Sequence, residues 1–252
     1  MRAFVTALRA EIKKIRGTRT LHLAILIPLV GVALFGLAFD LSYPSARPIE
    51  WLKYATQLIK VLAYFVIPVT IYTVIASLIN IETESNSKKH LFSMPVSRSI
   101  QYTSKLVFLH LLVILGLAGS FVSIPVFGMV YDFLPIGSPI NGEIPWLTLV
   151  KEIAGIYLLS WFLLSFHFFL SWRLKFIVLP FMLGISILIF TPLAMAIADE
   201  PMILFLNPYM LAQEFLREEE LNLLNAYSYR IIGGIIFVFV GCFIAARRDV
   251  LD

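Results

Sequence analysis

Apolar residues fall into six long, nearly uninterrupted runs, at about 21–39, 61–81, 106–130, 147–170, 176–198 and 231–246. Each approaches the roughly 20 residues that a helix needs to cross a hydrocarbon core of about 30 Å. The third is long enough to tilt, and the sixth is the shortest. This pattern predicts an all-α integral membrane protein with six transmembrane helices in a single domain over 1–252. The runs use most of the chain, so no extramembrane domain is left over.

The polar stretches between the runs differ in kind. In Met1–Thr20, Phe4, Val5, Leu8, Ile12 and Ile15 recur at spacings of three and four, with Arg2, Arg9, Lys13, Lys14, Arg16 and Arg19 around them. Those apolar residues share one helical face. The segment reads equally as an amphipathic helix in the membrane interface or as a basic anchor that only orients the chain. No small-x-small cleavage site follows the first run, so the segment is expected to be retained.

Residues 40–57 hold Pro44, Pro48 and Trp51 and read as a short external loop; 131–146 is rich in Pro and Gly and reads the same way. Ser171–Lys175 reads as a tight internal turn. The stretch 199–230 carries Asn207, Pro208, Tyr209 and the run Glu218, Glu219, Glu220, and reads as an external helical segment. The acidic run is better read as solvated surface than as a cation site.

Composition places the chain firmly in a membrane. Apolar residues make up 60% of it and charged residues 14%, with a mean hydropathy of +0.89, where soluble domains hold about half and a quarter. Six runs put both ends on one side. Of the 20 Lys and Arg, only Arg47, Lys53, Lys60, Lys151, Arg217 and Arg230 then lie on the other side. The bias predicts a multi-pass protein of the cell membrane with both termini cytoplasmic. The formal charge of +4 reflects this sorting, so it does not call for nucleic acid. The single cysteine, Cys242, sits in an apolar run and reads as packing.

Signatures of chemistry are scarce. There is no Gly-x-x-x-x-Gly-Lys-Ser/Thr loop, so the chain is not expected to bind ATP itself. The runs hold no Asp, Glu, Lys or Arg away from their ends, which argues against a proton- or sodium-driven carrier. His110 and His167 lie within runs; a neutral histidine hydrogen-bonded between helices is the commoner reading, because neither has a carboxylate within one turn. No cofactor or metal is expected on this chain.

The stretch 82–105 stands apart: it is polar, lies between two apolar runs, and carries Lys88, Lys89, Arg98 and Lys105, as expected of a cytoplasmic loop. It contains Glu82 and Glu84, then Leu91-Phe92-Ser93-Met94-Pro95-Val96-Ser97-Arg98, and leads through Ser104-Lys105-Leu106 into the third run. With the amphipathic start Leu8–Gly17 and the ending Arg247–Leu251, it resembles the membrane subunits of type-2 ABC exporters. Within them it is similar to the small permeases of bacteriocin-immunity and bacitracin-resistance systems.

That resemblance implies an elbow helix at 1–20 and a coupling helix at about 84–95 that docks on a separate ATP-binding subunit through Glu82, Glu84, Lys88, Lys89, Leu91, Phe92, Met94, Pro95 and Arg98. It implies two copies of that subunit, which would hold the ATP and Mg, and a second permease copy or a sister permease. Export of an amphipathic or hydrophobic substrate, such as an antimicrobial peptide or a drug, is the implied activity. A membrane scaffold or sensor that binds a cytoplasmic partner is the alternative, and an intramembrane enzyme the weaker one, since no polar constellation gathers at one depth.

Overall fold

In a computed structural model, residues 2–15, 18–42, 48–84, 97–133, 139–174, 178–198 and 223–247 are described. Nearly all of them are helical. The helices are α1 (Arg2–Ile15), α2 (Arg19–Ser42), α3 (Trp51–Val61), α4 (Ile67–Glu84), α5 (Arg98–Phe133), α6 (Trp146–Arg173), α7 (Val178–Ala198) and α8 (Leu223–Arg247). A π-helical segment, Leu62–Val66, joins α3 to α4 into one continuous rod.

Among the described residues, five stretches are long and apolar enough to cross a membrane: Arg19–Ala38, Trp51–Ile81, Arg98–Phe133, Trp146–Arg173 and Arg230–Arg247. The shorter apolar stretch Val178–Thr191, in α7, occupies the place of the fifth expected span. The protein is therefore an all-α integral membrane protein. The Trp51–Ile81 rod is the core, with 67% of its most apolar window buried, whereas Arg19–Ala38 and Arg230–Arg247 bury only 22% of theirs. These two turn most of their apolar surface outward, as helices facing lipid do.

Several boundaries differ from the sequence expectation. The external loop expected to reach residue 57 gives way to helix at Trp51, because Trp51, Tyr54, Ala55, Leu58 and Ile59 form a buried stripe at helical spacing. The polar loop expected over 82–105 narrows from both sides: α4 runs on to Glu84 and α5 begins at Arg98. Its last turns are held in the protein, with Gln101, Tyr102, Ser104 and Lys105 all buried. The last helix starts at Leu223 rather than 231, and Arg230, expected at the outer surface, is buried within it.

The rod is widened where proline interrupts it. Pro68 has no N–H to give to the carbonyl four residues back, and the preceding turn relaxes to i→i+5 bonding, with the Ile67 N–H donating to Leu62 O. The Tyr64 hydroxyl on this widened turn donates to the Leu188 carbonyl of α7 at 3.1 Å. At 36 residues α5 is about 54 Å long, well beyond the roughly 30 Å hydrocarbon core.

Helix α2 packs along α5, α8 along α6, and α1 along the first turns of α5. The α2–α5 crossing is close because Gly116 lies against the α2 backbone: a Cβ there would sit 2.6 Å from the Ala24 carbonyl oxygen. At the opposite end from α1, a two-residue parallel bridge, β1 (Ile49–Glu50) with β2 (Ile140–Asn141), was not anticipated. It is completed by the Ile140 N–H donating to Asp132 Oδ1 at 2.9 Å and the Ile49 N–H donating to Pro139 O at 2.9 Å.

Gly116→Val forces the α2 backbone away and is expected to cost about 1–3 kcal/mol, the range for overpacking. Gly119→Val, where a Cβ meets nothing within 4 Å, is the control and should cost much less. Thermal unfolding of the two variants in detergent separates them.

Candidate functional site at the α1–α5 junction

The polar segment is framed by two helix ends. Glu82 and Glu84 lie in the last turn of α4, and Arg98, half-buried, opens α5. Lys88, Lys89, Leu91, Phe92, Met94 and Pro95, expected to form the coupling helix, lie outside the described residues. The described residues that follow it form the base of α5.

Its centre is an ion pair across 94 residues of chain. Lys105 Nζ lies 2.9 Å from Glu11 Oε1, and the two side chains are 1% and 6% exposed. Lys14, one turn along α1, donates to the same carboxylate at 3.1 Å (Oε2) and 3.3 Å (Oε1). The Lys105 ammonium also stands 5.6 Å above the Trp172 ring of α6, within reach of a cation–π attraction. A charge taken out of water costs several kcal/mol, so Glu11 and Lys105 support one another's burial.

An aromatic block seals this pair. The Tyr102 ring, one turn before Lys105, is 4.8 Å from Phe168 and 5.6 Å from Trp172. Its hydroxyl end is pressed against Gly241, where a Cβ would collide with it. Helices α1, α5, α6 and α8 therefore meet at one place, directly beyond the first turn of α5. Arg98 therefore opens a helix that is joined to three others within about two turns.

Sequence reasoning placed Lys105 in a loop and gave Glu11 no role. The available signal was spacing: Glu11 stands three residues after Leu8 and four before Ile15, so it shares the edge that is buried rather than the basic side. An acid on that edge of an otherwise basic helix has to meet a cation.

The two histidines divide. His110 Nδ1 and Tyr157 Oη share a hydrogen bond at 3.4 Å between α5 and α6, as expected for an interhelical histidine. His167 is buried with its ring 4.5 Å from Tyr72, and its Nε2 has no hydrogen-bond partner among the described residues. It borders a small, partly open cavity of about 10 Å³ with Ser171 and Pro180. Helix α2 and the rod line an open groove of about 330 Å³ whose residues, all apolar, include Leu26, Val30, Leu34, Phe35 and Phe65.

The ion pair is expected to show coupling in a double-mutant cycle. Glu11→Gln and Lys105→Met each leave a buried charge with its main partner gone, and each should cost a few kcal/mol. The double variant should cost less than the sum of the two by about 1–3 kcal/mol, measured by unfolding in detergent.

The family model described as ABC-2 family transporter protein matches residues 7–192, from the second turn of α1 into α7. No curated protein matches the chain. The matched stretch takes in both partners of the ion pair, the aromatic block, the polar segment and the rod, and leaves out α8 with Gly241. The chain belongs to the ABC-2 transporter family, as a membrane-spanning permease component of an ABC transporter.

Proposed function

We propose that the protein is the permease half of an ATP-driven exporter, moving an amphipathic or hydrophobic substrate such as an antimicrobial peptide or a drug out of the cell. The observation that carries this reading is the family match over 7–192. The motor is a separate ATP-binding subunit, present twice, holding ATP and Mg. Two permease chains, either copies or sisters, form the path between them. Both termini and the segment 85–97 face the cytoplasm.

The coupling residues are Glu82, Glu84, Lys88, Lys89, Leu91, Phe92, Met94, Pro95 and Arg98. Leu91, Phe92 and Met94 supply the apolar contact that a groove on the partner buries, and the cations form its rim. Support comes from what lies beneath: a push on this segment reaches Arg98, and within two turns the block of Tyr102, Lys105, Trp172 and Glu11. The apolar lining of the α2 groove fits a greasy cargo better than an ion.

The triple variant Lys88→Glu, Lys89→Glu, Leu91→Ala tests this. Co-purification of the ATP-binding subunit should fall at least tenfold, and protection of cells against the exported compound should be lost. Helix content and elution as a single species should stay as in the parent chain. Unchanged co-purification and unchanged protection would remove the segment from its role.

A further inference from the structure

The buried ion pair fixes the rotation of α1, and so decides what the rest of that helix presents outward. With Glu11 and Ile15 turned into the protein, Val5 and Ile12, two turns apart, remain 42% and 37% exposed. Beside them Arg2, Arg9 and Lys13 are exposed. No carboxylate neutralises these three among the described residues. The one acid of the helix, Glu11, is spent on Lys105 and Lys14. The helix therefore has three sides: one against α5, one narrow apolar strip, and one purely cationic stripe.

The apolar strip identifies the medium. Helix α1 leads within a few residues into α2, a stretch long and apolar enough to cross a membrane that buries only 22% of its most apolar window. Arg19 at the head of α2, Arg173 at the end of α6 and Arg247 at the end of α8 are exposed at the same end of the bundle. A helix at that level with an apolar strip beside a basic stripe lies with the strip in the acyl boundary and the cations among headgroups. Neutral headgroups offer the cations no net charge.

We infer that the Arg2, Arg9 and Lys13 surface of α1 is a binding site for acidic phospholipid headgroups, and that acidic lipid holds α1 against the bilayer. The occupant is the bilayer surface rather than a soluble anion, because the cations and the strip have to be satisfied together. Since Glu11 ties α1 to Lys105, lipid composition then bears on the first turns of α5.

The full-length chain carrying Cys242→Ser and Ile12→Cys, in nanodiscs of phosphatidylcholine with and without phosphatidylglycerol, tests this by labelling with a water-soluble maleimide. Ile12→Cys should label at least about fivefold more slowly in the acidic discs, the weight of one cation near an acidic surface. High salt should remove the difference, and so should Arg2→Gln, Arg9→Gln, Lys13→Gln in the same chain. Ala10→Cys, exposed but off the strip, should label alike in both. Equal labelling of Ile12→Cys in the two lipids, or a difference that survives in the triple variant, overturns the inference. Protection that arises only when an ATP-binding subunit is added also overturns it, assigning the surface to a protein contact. The measurement uses neither ATP nor transport, so its outcome is independent of the exporter reading.

Discussion

The structure depends on a charge that must not be left alone. Lys105 is almost wholly withdrawn from solvent, and α1 supports its burial at the base of α5 by delivering a carboxylate to it at 2.9 Å. The amphipathic helix is thereby more than an anchor: it is a structural part of the third membrane helix, contributed from the other end of a long stretch of chain. The N-terminal helix and the first turns of that helix are thus held by one set of contacts.

From this pair the architecture can be followed outward. The aromatic block of Tyr102, Phe168 and Trp172 carries the junction into α6, and Gly241 lets α8 close over it. Gly116, further along α5, admits α2 to backbone contact. The Trp51–Ile81 rod fills the middle, and the outer helices turn their apolar sides to lipid. Small residues and buried rings do this work, as they must where apolar side chains gain nothing by leaving lipid.

The membrane fold was legible because apolar run length is a direct physical measure of bilayer thickness, and the five long stretches and α7 all lie where runs were read. Boundaries were less legible. Helices continue past the apolar run where polar residues are satisfied inside the protein: at the start of α5 the Ser104 hydroxyl donates to the Gln101 carbonyl and Lys105 to Glu11. The role of Glu11 was hidden for the same reason: its partner is remote in sequence. The β1–β2 bridge left no signal, since two residues on each side are too few to form an alternating pattern.

The β1–β2 bridge also has a mechanical meaning. It pins the mouth of the Trp51 rod to the loop that follows α5, and Asp132 fastens that loop to the last turn of α5 itself. The rod and α5 are therefore joined directly at this end of the bundle. Helix α5, about 54 Å long, is thus tied at both tips, to the rod by this bridge and to α1 by the Glu11–Lys105 pair, so neither end shifts without loading a contact that is remote in sequence.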